Sequence, residues 1–363
     1  GGNTQGIGRV FRNALAANAS VAVLLTAVMY TVYCFVDKLG QPEELLPHIR
    51  PYFVLQLISL LFIMLFNGFR QFAEGLTDTR TPMWILLGGN ALNIFGNYLL
   101  IYGSFGFPEW GLFGAGVSTL VSRIVMLLVF IGVVAVARRY KVYREAILRS
   151  RFNRNDFMQL NALGWPIALQ MGMETAAFSL SAIMVGWLGS IPLAAHQIMI
   201  SVSTIGFMVY YGMGAALAVR VSHFMGQKDF PNLRRAVNSG MGIILSLAIV
   251  ASLFFYLART PIIYSFTEDH EVMIVVSSLI FSLIVYQFGD ALQITFANAL
   301  RGTTDVKPMM WIAFFSYFIV ALPVGYLCGF TWGGGVVGVW VAFPAGLFTA
   351  GFLFWLRFRY RLQ

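Results

Sequence analysis

Two carboxylates lie deep inside apolar stretches of this 363-residue sequence, where charged side chains are rare. They are Glu174 and Asp290, whereas the other thirteen of the fifteen acidic residues lie in loops or near the ends of apolar stretches. A charge at the centre of a bilayer costs about 2.5–3.5 kcal/mol, so each carboxylate must face water, hold a cation or carry a proton. Two carboxylates that share one poorly solvated cavity repel each other, which favours uptake of H⁺ or Na⁺. The pair predicts a cation-coupling site.

The elements that must position these acids are long apolar helices. Hydrophobic residues make up 58% of the chain and charged residues 11%, whereas a soluble domain carries about 25% charged residues. A closed β-barrel is disfavoured because its strands are short and alternate apolar with polar residues. The sequence predicts an all-α integral membrane protein with ten spans, each long enough to cross a ~30 Å core. The spans are 12–36, 51–70, 83–103, 111–137, 157–188, 192–222, 237–265, 272–300, 309–330 and 335–356.

The distribution of basic residues predicts the orientation of the chain. Cytoplasmic loops accumulate Lys and Arg, and alternate loops hold twenty of the 24 basic residues. The other set of loops holds Lys38, Arg50 and Arg259, while Arg123 falls inside a span. Both chain ends are therefore expected in the cytoplasm. The charges are dispersed over all inner loops rather than gathered on one face, which disfavours binding of nucleic acid.

Two motifs of the first part of the chain recur in its last part. Gly75–Pro82 (GLTDTRTP) is echoed by Gly302–Pro308 (GTTDVKP), and Gly111–Val117 (GLFGAGV) is echoed by Gly335–Val341 (GVVGVWV). The offset along the chain is nearly the same for both motifs, so they belong to one duplicated segment. Such copies, running in the same direction through the membrane, are one of the recurring plans of transporters.

The repeat predicts the domain organisation. Residues 1–138 form an N-terminal lobe of four spans, 139–156 a basic cytoplasmic linker, and 157–363 a C-terminal lobe of six spans. Because the second copy is preceded by two further spans, we expect the first lobe to lack its first two helices, which makes ten of twelve. The linker is expected to contact anionic lipid headgroups.

Several strings together resemble the multidrug and toxic compound extrusion (MATE) family, and its bacterial NorM-type branch in particular. They are GLTDTRTP, WGLFGAGV, LAAHQI, GQKDFPNLRRAV and GDALQITFANALRGTTDVKP. The resemblance implies a helical bundle of two six-helix lobes in the cell inner membrane. It also implies a secondary antiporter that exports organic cations in exchange for Na⁺ or H⁺.

The resemblance also implies roles for individual residues. In this branch the cation site uses a glutamate and an aspartate that match Glu174 and Asp290, and a tyrosine that matches Tyr286, one turn before the aspartate. These two acids would hold Na⁺ if the protein is sodium-coupled, and Tyr286 would add a hydroxyl oxygen. The alternative role for Glu174 and Asp290 is structural, with hydrogen bonds that join two helices. The alternative role for Tyr286 is packing against neighbouring side chains.

Other polar residues within spans are candidates for lining a substrate cavity. Gln170 lies one turn before Glu174, and Gln197 follows a histidine in the next span. Asn93 and Asn97 share one face of the third span, where hydrogen bonds between helices are the alternative. In the DinF-like branch the position of Asn97 is an aspartate that takes up a proton. Asparagine does not titrate, which weakens the case for a proton site in the first lobe.

Two further positions are candidates for hinges, and the remaining predictions concern partners. Pro166 interrupts its span and Gly289 precedes Asp290, so each can let a helix bend, although packing explains them equally well. No organic cofactor is expected, only Na⁺ or H⁺ as the coupling ion. The expected partners are small organic cations and membrane lipids, with a monomeric protein. A lipid-linked oligosaccharide flippase and, from another class, an intramembrane enzyme remain alternatives.

Overall fold

The structure is a computed structural model that describes residues 4–35 and 46–362. Lys38, which the sequence analysis places in the second set of loops, lies outside these ranges. The described chain is almost entirely helical. Its α-helices are α1 (Thr4–Cys34), α2 (Leu46–Gly75), α3 (Arg80–Tyr102), α4 (Gly111–Val136), α5 (Lys141–Arg149), α6 (Arg154–Gly186), α7 (Ser190–Gln227), α8 (Phe230–Leu257), α9 (Arg259–Phe266), α10 (His270–Gly302), α11 (Lys307–Phe314), α12 (Leu322–Tyr326), α13 (Gly335–Trp340) and α14 (Ala342–Arg361).

Ten membrane spans, as predicted, are found within the described residues. Eight of them are single helices, namely α1–α4, α6–α8 and α10. The ninth covers Lys307–Thr331, and the tenth covers Gly335–Arg361. The prediction succeeded because apolar length is a local property of the sequence, and a helix satisfies every backbone polar group without outside partners.

The ninth span departs from a regular α-helix. Residues Phe315–Ala321 and Leu327–Thr331 are π-helical, and they flank the short helix α12, which has Pro323 in its first turn. A π-helix, with i→i+5 hydrogen bonds, shifts the direction of the side chains that follow and occurs frequently at functional sites. The sequence analysis assigned no irregularity to this span.

The duplicated motifs form duplicated turns. Thr77 and Thr304, at equivalent positions of the first motif, both have left-handed backbone conformations, with φ of 64° and 60°. Gly111 and Gly335, at equivalent positions of the second motif, do the same, with φ of 52° and 54°. The repeat found in the sequence is therefore also a repeat of local backbone geometry.

Each turn of the first motif also forms an ion pair with an arginine at or just beyond the C-terminal end of the last span of its copy. Arg139 Nη1 lies 3.0 Å from Asp78 Oδ2, and Tyr140 donates a further hydrogen bond to the same oxygen. In the second copy, Arg357 donates through Nε and Nη2 to the two oxygens of Asp305, at 2.6 and 3.1 Å. Planar bidentate pairs of this kind are among the stronger charged hydrogen bonds.

The polar contacts around Asp78 shift two pKa values outside the spans. Burial alone would raise the pKa of Asp78, but hydrogen bonds from Thr81 and Tyr140 outweigh it, and the pKa falls below its ordinary value of 3.8. The positive charge of Arg139 acts in the same direction. Burial and the hydrogen bond to Asp78 raise the pKa of Tyr140 to about 12.

Replacing Asp78 with Asn is expected to lower the stability of the protein by about 1–2 kcal/mol at pH 6, because charged hydrogen bonds are lost. A carboxylate whose pKa is depressed by folding stabilises the folded state above its unfolded pKa, and this contribution disappears as the pH falls through the folded pKa. The difference in unfolding temperature between D78N and the unchanged protein should therefore shrink from pH 6 to pH 3. E268Q, at an exposed acid, is the control. A difference that stays constant with pH would contradict this account.

The chain divides into two compact units, residues 2–161 and 162–363. In the first unit, α2 packs on α1 and α4, and α3 packs on α4. The linker helix α5 belongs to this unit and packs on α1, where a Cβ on Gly8 would lie 2.6 Å from the carbonyl carbon of Ala146. Only glycine permits this approach of two helices.

In the second unit, α10 is the central helix. It packs against α7, α8 and α14, and most of its second half is buried. Two glycines of α7 make room for polar side chains of α10. A Cβ on Gly206 would lie 2.8 Å from Gln287 Oε1, and one on Gly214 would lie 2.5 Å from Asn298 Nδ2. This close contact leaves space for polar groups in the interior of the unit.

Candidate functional site

Both intramembrane acids lie in the second unit. Glu174 is on α6, and its Oε2 accepts hydrogen bonds from Gln170 Nε2 at 3.0 Å and Gln293 Nε2 at 3.1 Å. Asp290 is on α10, 1% exposed, and its buried Oδ2 has no hydrogen-bond partner among the described residues. The two carboxylates are close enough to interact electrostatically. The structure thus places both acids in one unit, and among the described residues only Glu174 has hydrogen-bond partners.

A cavity of about 250 Å³ opens beside Glu174. Glu174, Tyr286, Gln293 and Arg301 supply polar lining, whereas Asp290 is not part of the lining. Apolar and aromatic side chains complete the wall. They include Met171, Phe178, Phe207 and Ile294. A mostly apolar pocket with a few convergent polar groups is the usual form of a small-molecule site.

Tyr286 lies where the sequence predicted it, one turn before Asp290 on the same helix face. Its ring is 5% exposed and makes edge-to-face contacts with Phe178 and Phe343, at centroid distances of 6.2 and 6.4 Å. These contacts hold the ring in place. The phenol interacts electrostatically with both Asp290 and Glu174. Its position is compatible with packing and with a role as an oxygen ligand.

Neither Gln170 nor Gln197 is among the residues that line this cavity, and a substrate-cavity role for either one stays a prediction. Gln170 is 1% exposed and links Glu174 to Arg301, whose Nη2 donates to Gln170 Oε1 at 2.8 Å. Gln197 is exposed on α7. Helix rotation decides this difference, because both glutamines lie within spans and look alike in the sequence.

Asn93 and Asn97 lie in the first unit, where they bond within and between helices. Asn97 Nδ2 donates to Asn93 Oδ1, and Asn93 Nδ2 donates to Ser118 Oγ on α4, both at 3.3 Å. These contacts are those expected of side chains that join two spans by hydrogen bonds. A role in a substrate cavity stays a prediction.

The hinge candidates are both buried. Pro166 lies inside α6, which continues through it. A Cβ on Gly289 would lie 3.1 Å from Leu347 Cβ on α14, so this glycine lets α10 and α14 approach closely. The contact favours the packing interpretation of Gly289, and a hinge at either position stays a prediction.

The sequence analysis missed two residues of α10 that take part in the site. Gln293 donates a hydrogen bond to Glu174, and Arg301 donates one to Gln170. The sequence analysis counted Arg301 only among the basic residues of the inner loops. Both follow Asp290 at spacings of three and eleven residues, which return to the same face of a helix. The helical periodicity from Asp290 could therefore have identified both residues as candidates.

Tyr317 is a third missed residue, and it comes from the first π-helical segment. It is 2% exposed, and its hydroxyl lies near the Glu174 carboxylate without a well-formed hydrogen bond among the described residues. Nothing in the sequence indicates this position, because the π-helix changes which residues face α6. The site therefore offers carboxylate and hydroxyl oxygens, the type of ligand that hard cations prefer.

Replacing Tyr317 with Phe is expected to weaken binding of a cation at the predicted coupling site about fivefold, since a hydroxyl ligand or hydrogen bond is worth about 1 kcal/mol. The measurement is the concentration of Na⁺ or H⁺ that gives half-maximal binding to the purified protein. Y326F is the matched control, because Tyr326 is exposed and stacks on Phe330. Equal half-maximal concentrations for the two variants would remove Tyr317 from the site.

Ten spans and a buried acidic site beside a cavity are the features of a membrane transporter, and the comparisons with known proteins specify which kind. The MatE family model matches residues 1–99 and 166–327. Multidrug resistance protein PmpM of Pseudomonas aeruginosa is 34% identical, over 98% of this chain and 76% of its own length. Multidrug resistance protein NorM of Photobacterium profundum is 31% identical, over 94% and 75%. The chain belongs to the MatE family.

Solved structures agree on the fold. An outward-facing multidrug resistance MATE family transporter of the MOP superfamily matches with a TM-score of 0.85 at 18% identity, covering 99% of this chain and 84% of that one. The eukaryotic MATE transporter AtDTX14 matches with a TM-score of 0.83 at 17% identity, covering 99% and 82%. The resemblance to the NorM-like branch, the helical MATE-type fold and the prediction of a multidrug efflux transporter are confirmed at the level of the family.

Proposed function

We propose that the protein exports organic cations in exchange for Na⁺ or H⁺, with Glu174 and Asp290 as the coupling site and Tyr286 as an additional oxygen ligand. The observation that carries the proposal is the buried Asp290 Oδ2 without a partner among the described residues, within electrostatic reach of Glu174. An unpaired carboxylate in a membrane interior is costly. A cation or a proton removes that cost.

Binding of a cation would change the contacts between α6 and α10. Glu174 Oε2 accepts from an amide on its own helix, Gln170, and from one on α10, Gln293. A cation at that oxygen competes with both amides, so the bond that joins the two helices weakens when the site is occupied. A difference in contacts between the two states is what a ligand needs to shift a conformational equilibrium.

The cavity beside Glu174 suits an organic monocation. Phe178 and Phe207 line the cavity and supply aromatic rings, the groups that make cation–π contacts. Met171 adds a flexible, polarizable side chain that adapts to different shapes. The carboxylate of Glu174 supplies the attraction for positive charge. A substrate and the coupling ion would therefore compete for the same negative charge, which links export of one to import of the other.

The distribution of basic residues supports a location and an orientation in the membrane. We place the protein in the cell inner membrane with both chain ends in the cytoplasm, because twenty basic residues fall in one set of loops. One charge moving inward through 100 mV releases about 2.3 kcal/mol, but one positive charge moving outward costs the same amount. Exchange of one coupling cation for one organic monocation is therefore driven by the concentration gradient of the coupling ion. A tenfold inward gradient of the coupling ion then sustains about a tenfold outward concentration ratio of substrate.

Separate dissipation of the two ion gradients tests the proposal. Efflux of ethidium from cells or membrane vesicles containing the protein should stop when either the Na⁺ or the H⁺ gradient is removed and continue when only the other is removed. The effective gradient identifies the coupling ion. Efflux that persists with both gradients dissipated would exclude an ion-coupled antiporter. Vesicles without the protein provide the background rate.

A further inference from the structure

Arg301 is the basic residue of the network around Glu174. It lies at the inner end of α10, and its side chain lines the same cavity. Its Nη2 donates to Gln170 Oε1 at 2.8 Å, and the other end of the same amide, Nε2, donates to Glu174 Oε2 at 3.0 Å. The buried glutamine thus stands between a guanidinium and a carboxylate.

Arg301 is only partly compensated by these contacts. Among the described residues no carboxylate lies within 4.0 Å of its guanidinium, and its buried Nε has no acceptor. It nevertheless interacts electrostatically with Glu174. A guanidinium held near a carboxylate but separated from it by one amide does not occupy the carboxylate, and leaves its oxygens accessible to another cation.

The ionised groups of the site sum to a net charge of minus one. When both carboxylates are ionised, Glu174 and Asp290 contribute two negative charges, and Arg301 contributes one positive charge because a guanidinium stays protonated in proteins. One monovalent cation neutralises this sum, whereas a divalent ion would leave an excess positive charge in a poorly solvated interior.

The amide of Gln170 has a direction that Arg301 fixes. Guanidinium N–H groups only donate, so the glutamine oxygen must face Arg301 and its nitrogen must face Glu174. Without Arg301 the amide is free to turn and to present its oxygen toward a cation bound at Glu174. Arg301 therefore limits both the charge and the number of oxygens that a cation meets.

We propose that Arg301 is a specificity-determining residue that sets the cation site to a net charge of minus one, and that it orients Gln170 so that the site takes one monovalent cation and releases it readily. This inference rests on the proposed coupling function of Glu174 and Asp290. Arg301 acts through charge and through Gln170, without binding the cation itself.

The test is the dependence of ethidium efflux on the concentration of the coupling cation in proteoliposomes. R301Q removes the positive charge and is expected to lower the half-maximal cation concentration about tenfold, with a slower maximal rate because release is slowed. R301K keeps the charge and should restore the half-maximal concentration to within about threefold. R123Q is the matched control, because it removes an arginine from a span of the first unit that bonds Gln56 and Ser59.

A half-maximal concentration for R301Q equal to that of the unchanged protein would overturn the inference. If Arg301 has only a structural role, the R301Q protein that folds should have the unchanged half-maximal concentration, and the amount of folded R301Q protein should be lower. E174Q and D290N are measured beside it. If these two variants keep normal cation-driven efflux, the coupling site itself is wrong. If they lose it and R301Q does not shift, only the role of Arg301 is wrong.

A second measurement uses the unchanged protein and therefore does not depend on the folding of a variant. A tenfold excess of Ca²⁺ over the coupling cation should leave efflux by the unchanged protein intact, because a site of net charge minus one disfavours a divalent ion. Inhibition by Ca²⁺ that is relieved by more coupling cation would mean that the site carries two negative charges, and would overturn the inference.

Discussion

Replacing Asp290 with Asn, or Glu174 with Gln, is expected to abolish ion-driven efflux of an organic cation dye. Each change removes one of the two buried carboxylates of the second unit, which interact electrostatically, and Asp290 Oδ2 has no hydrogen-bond partner among the described residues. Loss of one charged partner from a buried ionic site costs about 3–5 kcal/mol, which corresponds to more than about a hundredfold loss of cation affinity. At ordinary ion concentrations the site would remain empty.

The measurement is the initial rate of ethidium efflux at equal amounts of protein in the membrane. E109Q is the control, because Glu109 is an exposed acid in the loop between α3 and α4. It should behave as the unchanged protein does. Normal dye efflux by both D290N and E174Q would show that the intramembrane acids only join helices, which is the alternative interpretation of such residues.

Replacing Gly338 or Gly114 with Ala is expected to destabilise the protein by about 3 kcal/mol or more. These glycines occupy equivalent positions in the two copies of the second motif. A Cβ on Gly338 would lie 2.3 Å from the carbonyl oxygen of Cys328, and one on Gly114 would lie 2.5 Å from that of Leu100. Backbone atoms cannot move aside as the end of a flexible side chain can, so the preceding span must shift.

The same two carbonyls also accept hydrogen bonds at equivalent positions, from the backbone N–H groups of Gly334 and Trp110. A displaced span would therefore weaken this bond as well. The unfolding temperature in detergent and the amount of protein in the membrane measure the effect.

Gly132 and Gly242 are matched controls, because nothing lies within 4 Å of an added Cβ at either position. Alanine there should be neutral or stabilise the helix by up to about 1 kcal/mol, since glycine is the more flexible residue in the unfolded chain. If G338A and G114A are as stable as G132A and G242A, the close contacts of the motif are not important for folding.

Much of the site could be predicted because polar residues within apolar spans are few. Glu174 and Asp290 are identified because the other acidic residues lie in loops or near the ends of spans. Tyr286 and Gln170 lie one helical turn from Asp290 and Glu174, so the periodicity of the α-helix places each on the same face as its acid. The same periodicity, extended further along α10, reaches Gln293 and Arg301.

Other parts of the site were beyond any argument from periodicity. Tyr317 approaches Glu174 because Phe315–Ala321 is π-helical, and an irregular segment changes the face on which every later residue lies. Gln197 and Gln170 both lie in spans of the second unit, yet one is exposed and the other 1% exposed. Whether each side chain is buried or exposed depends on the rotation of its helix relative to the neighbouring helices.

The sequence alone determined the number of spans, the repeat and the presence of two acids within the membrane, because these depend on composition and order along the chain. Only the tertiary structure decided which side chains surround the acids. Glu174 meets Gln293, and Gln170 meets Arg301, across separations of 119 and 131 residues. Such contacts depend on where α6 lies beside α10 in the folded unit. The glycines of α7 and the π-helix set distances and directions that local sequence patterns do not encode.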